Sequence, residues 1–170
     1  MSAAENARML ARYNAWADTR IFDSVAALPA GEAEKPRTTL FKTMIGTLNH
    51  NLVVDLIWQA HLEGRDHGFK ARNMLLHPEL AALRVAQDRL NDWFIGWSDE
   101  QTDASLAEPL DFNFISGKPG RMTRLEMLQH VVTHKAYHRG WVAEMFFEVP
   151  AKVLDMDLPV FLGETRGGGR

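Results

Sequence analysis

Apolar residues recur at spacings of three and four in four separate stretches of this chain, and capping residues, proline or glycine punctuate the stretches. At 3.6 residues per turn such spacing gathers apolar side chains on one helix face, which can be buried only against another element. The first stretch opens on Ser2-Ala3-Ala4-Glu5, the S-x-x-E form of a capping box. It continues through Leu10, Tyr13, Ala17, Ile21, Val25 and Leu28 and stops at Pro29. After a connector over residues 29–37, Leu40, Met44, Leu48, Leu52, Leu56 and Trp58 predict a second helix reaching Leu62, just before Gly64. Residues 64–77 read as a loop. Pro78 stands where a first helical position tolerates proline, and Leu80, Leu83, Leu90, Phe94 and Trp97 mark a third helix.

From Glu108 the period changes. Leu110, Phe112 and Phe114 alternate with Asp111, Asn113 and Ile115, and Ser116-Gly117-Lys118-Pro119-Gly120 supplies turn chemistry, which predicts a short extended segment or hairpin. Thr123-Arg124-Leu125-Glu126 is a second capping box, opening a stretch that runs to about Phe147 before Val149-Pro150 ends it. Leu154, Leu158, Phe161 and Leu162 offer apolar surface that can return to the bundle. The fold class expected is all-α, an antiparallel four-helix bundle with a short hairpin before the last helix. It forms a single domain over residues 1–163, with a flexible Gly-rich tail at 164–170. In such bundles functional sites are built from side chains on facing helices.

The 170 residues carry Lys+Arg 19 against Asp+Glu 22, a net charge of −3, so the positive excess used for nucleic-acid or anionic-membrane binding is missing. No apolar run approaches the ~20 residues of a membrane span, and the first residues do not read as a secretion signal, so a cytoplasmic location is expected. Cys 0 removes disulfides, thiolate nucleophiles and thiolate metal ligands together. Any transition-metal site must then use His, Asp or Glu.

Seven histidines stand at 50, 61, 67, 77, 130, 134 and 138. His130, His134 and His138 follow one another at i, i+4 and i+8, but the outer two lie about 12 Å apart along a helix, too far to share an ion at about 2.1 Å. At about 100° per residue, His134 and His138 fall among Met127, Val131, Trp141, Val142 and Met145, whereas His130 turns toward Glu126, Thr133, Tyr137 and Glu144. The inward pair is therefore His134 with His138. A third ligand from a facing helix would be His50, set among Val53, Val54 and Ile57, with Gly46 and Thr47 one turn earlier leaving room above the ring. His61 is about 16 Å further along that helix and does not share an ion with His50; His67 and His77 sit in or beside the loop. Spacing alone leaves two readings of these histidines, hydrogen-bonded core residues or ligands. Lys135 follows His134 where a zinc peptidase would carry glutamate, which argues against that chemistry.

Ala11-Arg12-Tyr13-Asn14-Ala15-Trp16, Leu48-Asn49-His50 with Asp55-Leu56-Ile57-Trp58, and Val132-Thr133-His134-Lys135-Ala136-Tyr137-His138-Arg139-Gly140 resemble the DinB family in order and spacing, over about residues 7–163. The resemblance implies a four-helix bundle, often a homodimer, whose three histidines bind a divalent metal; by position these are His50, His134 and His138. Two positions depart from the family pattern. Trp141 stands where Gln is frequent after H-R-G, and Thr133 where Asn commonly precedes the first histidine of the pair. Relatives in the wider superfamily include thiol-dependent isomerases and transferases.

Three neutral imidazoles leave at least one coordination position open, where an ion can activate water or hold an incoming thiolate. The function expected is therefore a metal-dependent enzyme acting on a small molecule, by hydrolysis or by transfer with an external low-molecular-weight thiol. Zinc or nickel is the first choice of metal, with iron or manganese next. Glu144, Tyr137 and Asp55 are the proton carriers within reach in sequence; none is assigned that role. The alternative is a non-catalytic metal- or small-ligand-binding stress-response protein acting as a dimer, with Met127, Met145, Trp58, Trp97 and Trp141 around an adaptable pocket. A third reading is a dimeric interaction module, which apolar exposure on the first or third helix would favour.

Overall fold

The computed structural model describes residues 1–167 and is an all-α bundle carrying one small hairpin. Helix α1 spans Ala3–Ala26, α2 Met44–Leu62, α3 Leu80–Asp99, a single turn α4 Asp103–Leu106, α5 Arg124–Met145 and α6 Leu158–Gly167; strands β1 (Pro109–Asn113) and β2 (Pro119–Thr123) precede α5. Both expected capping boxes form. Ser2 Oγ accepts from the Glu5 N–H while Glu5 accepts from Ser2, and Thr123 and Glu126 make the same reciprocal pair. Helix α2 starts later than its apolar spacing suggests, because Thr43 caps it and Leu40, 70% exposed, lies outside. Pro78 likewise precedes the Glu79 cap of α3.

Contacts place the long helices in a ring, α1 beside α3, α3 beside α2, α2 beside α5 and α5 beside α1. Asp99 pairs with Arg12, and Asp23 with Arg84, so α1 and α3 run oppositely. Trp58 meets His130 and His50 meets His138, so α2 and α5 also run oppositely. The Ala4 N–H donates to Asp103 near the start of α5, and the Leu154 N–H beyond its end donates to Ser24, so α1 and α5 run together. The order is up, down, down, up. Since α2 and α3 share a direction, residues 63–79 must climb back along α2, and the expected loop is a return link the length of a helix.

The core is the shared face of these helices, with Ile21, Leu52, Leu83, Met127 and Val142 among its most buried members. The hairpin has the expected alternation: Phe112 is buried on Trp58, its rings 5.1 Å apart, and pairs across the sheet with Gly120. A Cβ at Gly120 would lie 2.5 Å from the Phe112 ring, so a larger residue there would have to displace that ring. Beyond a 3-10 turn at Phe146–Glu148, the chain returns over α1, where Phe161 of α6 packs between Tyr13 and Trp16. Helix α6 takes in residues 164–167 of the segment expected as a tail; residues 168–170 lie outside the described residues. No described helix is long and apolar enough to cross a membrane.

Candidate metal centre

Helices α2 and α5 bring His50, His134 and His138 together, with one ring nitrogen from each lying within 4.8 Å of the other two. Ligands at about 2.1 Å from a shared ion stand roughly 3–4 Å apart, so the three rings are near the spacing an ion requires. His50 Nε2 faces His134 Nε2 at 3.2 Å. The other nitrogen of His50, Nδ1, is 2.8 Å from the Arg72 carbonyl. A carbonyl can only accept, so Nδ1 carries the proton and the Nε2 lone pair points into the cluster. His134 and His138 have buried Nδ1 atoms with no partner among the described residues. Such a deficit costs on the order of 1–3 kcal/mol per group; since His134 meets His50 through Nε2, an ion between them would leave the His134 Nδ1 unpaired. The three-histidine cluster could hold a divalent metal ion.

Burial keeps the cluster unprotonated. Desolvation, reinforced by the neighbouring imidazoles, pushes His134 down to about 3. Desolvation and His50 push His138 down to about 4, and burial also lowers His50. At neutral pH each ring therefore offers a lone pair. Phe41 stacks on His50 with ring centroids 4.2 Å apart and meets His138 edge-on at 5.5 Å, while Trp141 packs on His138 at 4.5 Å. A cavity of about 460 Å³ opens over the three histidines, walled by Phe41, Ala71, Arg72, Asn73 and Ile115.

The room expected above His50 at Gly46 and Thr47 is filled. A Cβ on Gly46 would lie 2.4 Å from the Phe41 carbonyl oxygen, so glycine admits the segment that carries Phe41 onto the ring. Thr47 is buried and donates to the Thr43 carbonyl. His130 is not turned to solvent. It is half-buried with its ring 4.6 Å from Trp58, because it lies only about 40° around α5 from His134. His61 stays apart from the cluster, packed on Phe112 and Trp58. His67 is half-buried beside it, its Nδ1 accepting from the Phe69 N–H. His77 meets α2 through its backbone: its N–H donates to Asn49 and its carbonyl accepts from Asn49, at 2.9 and 2.8 Å.

Of the residues weighed as proton carriers, Glu144 is exposed, and Tyr137, 62% exposed, lays its ring against His138 and Trp141. Asp55 belongs to a different structure. It is fully buried and accepts from Lys135 at 2.7 Å and Gln87 at 3.0 Å; Lys135 also donates to Asp18, and Arg139 donates to Asp18 and Asn14 at 2.8 and 2.9 Å. This knot ties all four long helices. Complete burial pushes the Asp55 carboxyl up to about 6 against the pull of Lys135. Sequence reasoning missed it, although a trace was visible: Lys135 and Arg139 repeat the four-residue spacing of the histidines they follow, and Asn14 and Asp18 interrupt the apolar face of α1 at the same spacing. Of the residues expected around an adaptable pocket, Met127 and Met145 are sealed core and Trp97 stacks with Trp93; Trp58 lines a cavity beside the cluster.

The family model described as "DinB family" matches residues 1–166. The chain is also similar to "Protein DinB" of Bacillus subtilis (strain 168), with 26% identity over 163 residues, covering 92% of this chain and 94% of that protein.

Proposed function

Because the chain belongs to the DinB family, we propose that its three-histidine cluster makes it a metal-dependent enzyme acting on a small molecule, by hydrolysis or by transfer to an external thiol. The observation that carries this is the convergence of three imidazole nitrogens within 4.8 Å, with the His50 lone pair aimed inward by the Arg72 carbonyl. His50, His134 and His138 would hold the ion, zinc or nickel first and iron or manganese next. When bound, such an ion supplies Lewis acidity toward water or a thiolate. The chain's own contributions are distinct. Arg72 fixes the tautomer of His50, and Phe41 and Trp141 exclude water from one side of the rings. With Cys 0, a thiol must arrive from outside.

No Asp or Glu lines the cavity over the histidines, and this favours a second reading, a metal- or ligand-binding stress-response protein that performs no proton transfer. Either protein is read here as a cytoplasmic homodimer, for which light scattering of the eluting species is the test. Elemental analysis and titration separate the metal readings from an inert core. One divalent ion per chain is expected, and His134→Ala should abolish it; metal content unchanged in that variant would refute the site. Metal-loaded protein that neither binds nor turns over any of a panel of small thiols with electrophiles would leave the second reading in place.

A further inference from the structure

A second cavity, of about 530 Å³, lies beside the histidine cluster and meets the first at Arg72, Ile115 and His134. Its inner wall is α2, through Val54, Ile57 and Trp58, and its outer wall is the turn of the hairpin, through Phe114, Ser116 and Lys118. Two features distinguish it from a chance gap between elements. In a chain of net charge −3, neither cavity is lined by an Asp or Glu, while two cations, Arg72 of the return link and Lys118 of the hairpin turn, line this one. Among the described residues, moreover, Arg72 has no carboxylate within ion-pair distance, although most of the protein's other exposed arginines do, and Lys118 is likewise without one.

Both cations are held by their backbones with their side chains left free. The Arg72 carbonyl accepts from His50, and the Lys118 carbonyl accepts from the Phe114 N–H at 2.9 Å and closes the turn. A guanidinium and an ammonium on residues that line one apolar cleft suit an anion carried on an apolar body.

We propose that this cavity binds an amphipathic organic anion, its carboxylate, sulfonate or phosphate held between Arg72 and Lys118 and its apolar body laid against Ile57, Trp58 and Phe114. The end nearest His134 is then presented to the three histidines. That last direction rests on the metal-dependent reading; the charge and shape of the ligand do not.

The test uses two fluorescent probes with the full chain: anilinonaphthalene sulfonate and phenylnaphthylamine, which has the same aromatic body without the anion. The sulfonate should bind once per chain, and more weakly as salt screens the exposed cations, whereas the neutral probe should be indifferent to salt. Arg72→Gln and Lys118→Gln are substitutions at exposed positions outside the helices. Each should weaken the sulfonate by roughly 3- to 10-fold, the loss expected of one partly screened charge-assisted contact, and leave the neutral probe unchanged. Phe114→Ser should weaken both probes alike. Equal effects of the two cation variants on both probes, or no effect on either, overturn the proposal. Running the titrations on chelator-treated and metal-loaded protein separates the two inferences. Sulfonate binding that obeys these rules without any metal uptake leaves the anion cavity standing and the metal reading refuted; stoichiometric metal with indifferent probes does the reverse.

Discussion

Lys135 follows a cluster histidine in sequence and leaves the cluster in space. At about 100° per residue, His134 and His138 face α2 while Lys135 and Arg139 turn toward α1 and α3, so α5 is gripped on two sides. The histidine side is fixed by ring packing and the other by a knot of two cations, two carboxylates and three amides, all buried. Removing the ammonium leaves buried Asp55 with only the Gln87 amide and buried Asp18 with only Arg139. Lys135→Met is accordingly expected to cost about 3–5 kcal/mol in urea unfolding, far more than the volume change alone. An effect under about 1 kcal/mol would mean that the knot is not charged as drawn. From sequence, Lys135 said only which chemistry was missing. Its partners come from three other helices, and no periodicity on one helix announces a contact with another.

At the scale of elements, the helices were legible because each has a local cause: two capping boxes, apolar faces, and Pro or Gly at the breaks. The return link was legible only as a loop. It contains no repeating pattern, and its course along α2 is set by two side chains of that helix, Asn49 bonding both backbone groups of His77 and His50 bonding the carbonyl of Arg72. The histidine pair could be read from α5 alone, and His50 from the facing helix, but the space over them could not, because loops form most of its wall. Asn49→Ala tests the anchoring. Backbone amides over residues 70–77 should exchange faster by hydrogen–deuterium mass spectrometry, with those of α2 unchanged, and metal affinity should fall several-fold as the His50 ring loses its orienting carbonyl. Unaltered exchange in the link would show that it is held by other contacts.

For the molecule as a whole, the cluster sets how stability depends on pH when no metal is bound. Unfolded imidazoles take protons near 6.5, whereas folded His134 and His138 do so only near 3 and 4. Between those values the unfolded chain holds more protons, so stability falls as pH falls. Asp55 acts oppositely: its folded carboxyl protonates near 6 and its unfolded one near 4, so acidification over that interval favours the fold. Two histidines outweigh one carboxylate. The chelator-treated protein should therefore melt at a lower temperature at pH 5 than at pH 7, and His134→Gln should flatten the difference; an equal slope in the variant would place the dependence elsewhere.

The order of helix directions has a consequence for how such a protein can vary. Had α3 run against α2, a few residues would have joined them and the flank of α2 bearing His50 would lie bare. Because the two run together, the chain is obliged to make a detour, and Ala71, Arg72 and Asn73 on that detour become the wall over the histidines. The lengths and contents of this stretch can change without disturbing a single helix-to-helix contact. Much of the wall over the histidines is thereby drawn from a segment outside the bundle's helix contacts, so the two can drift independently across descendants of the same scaffold.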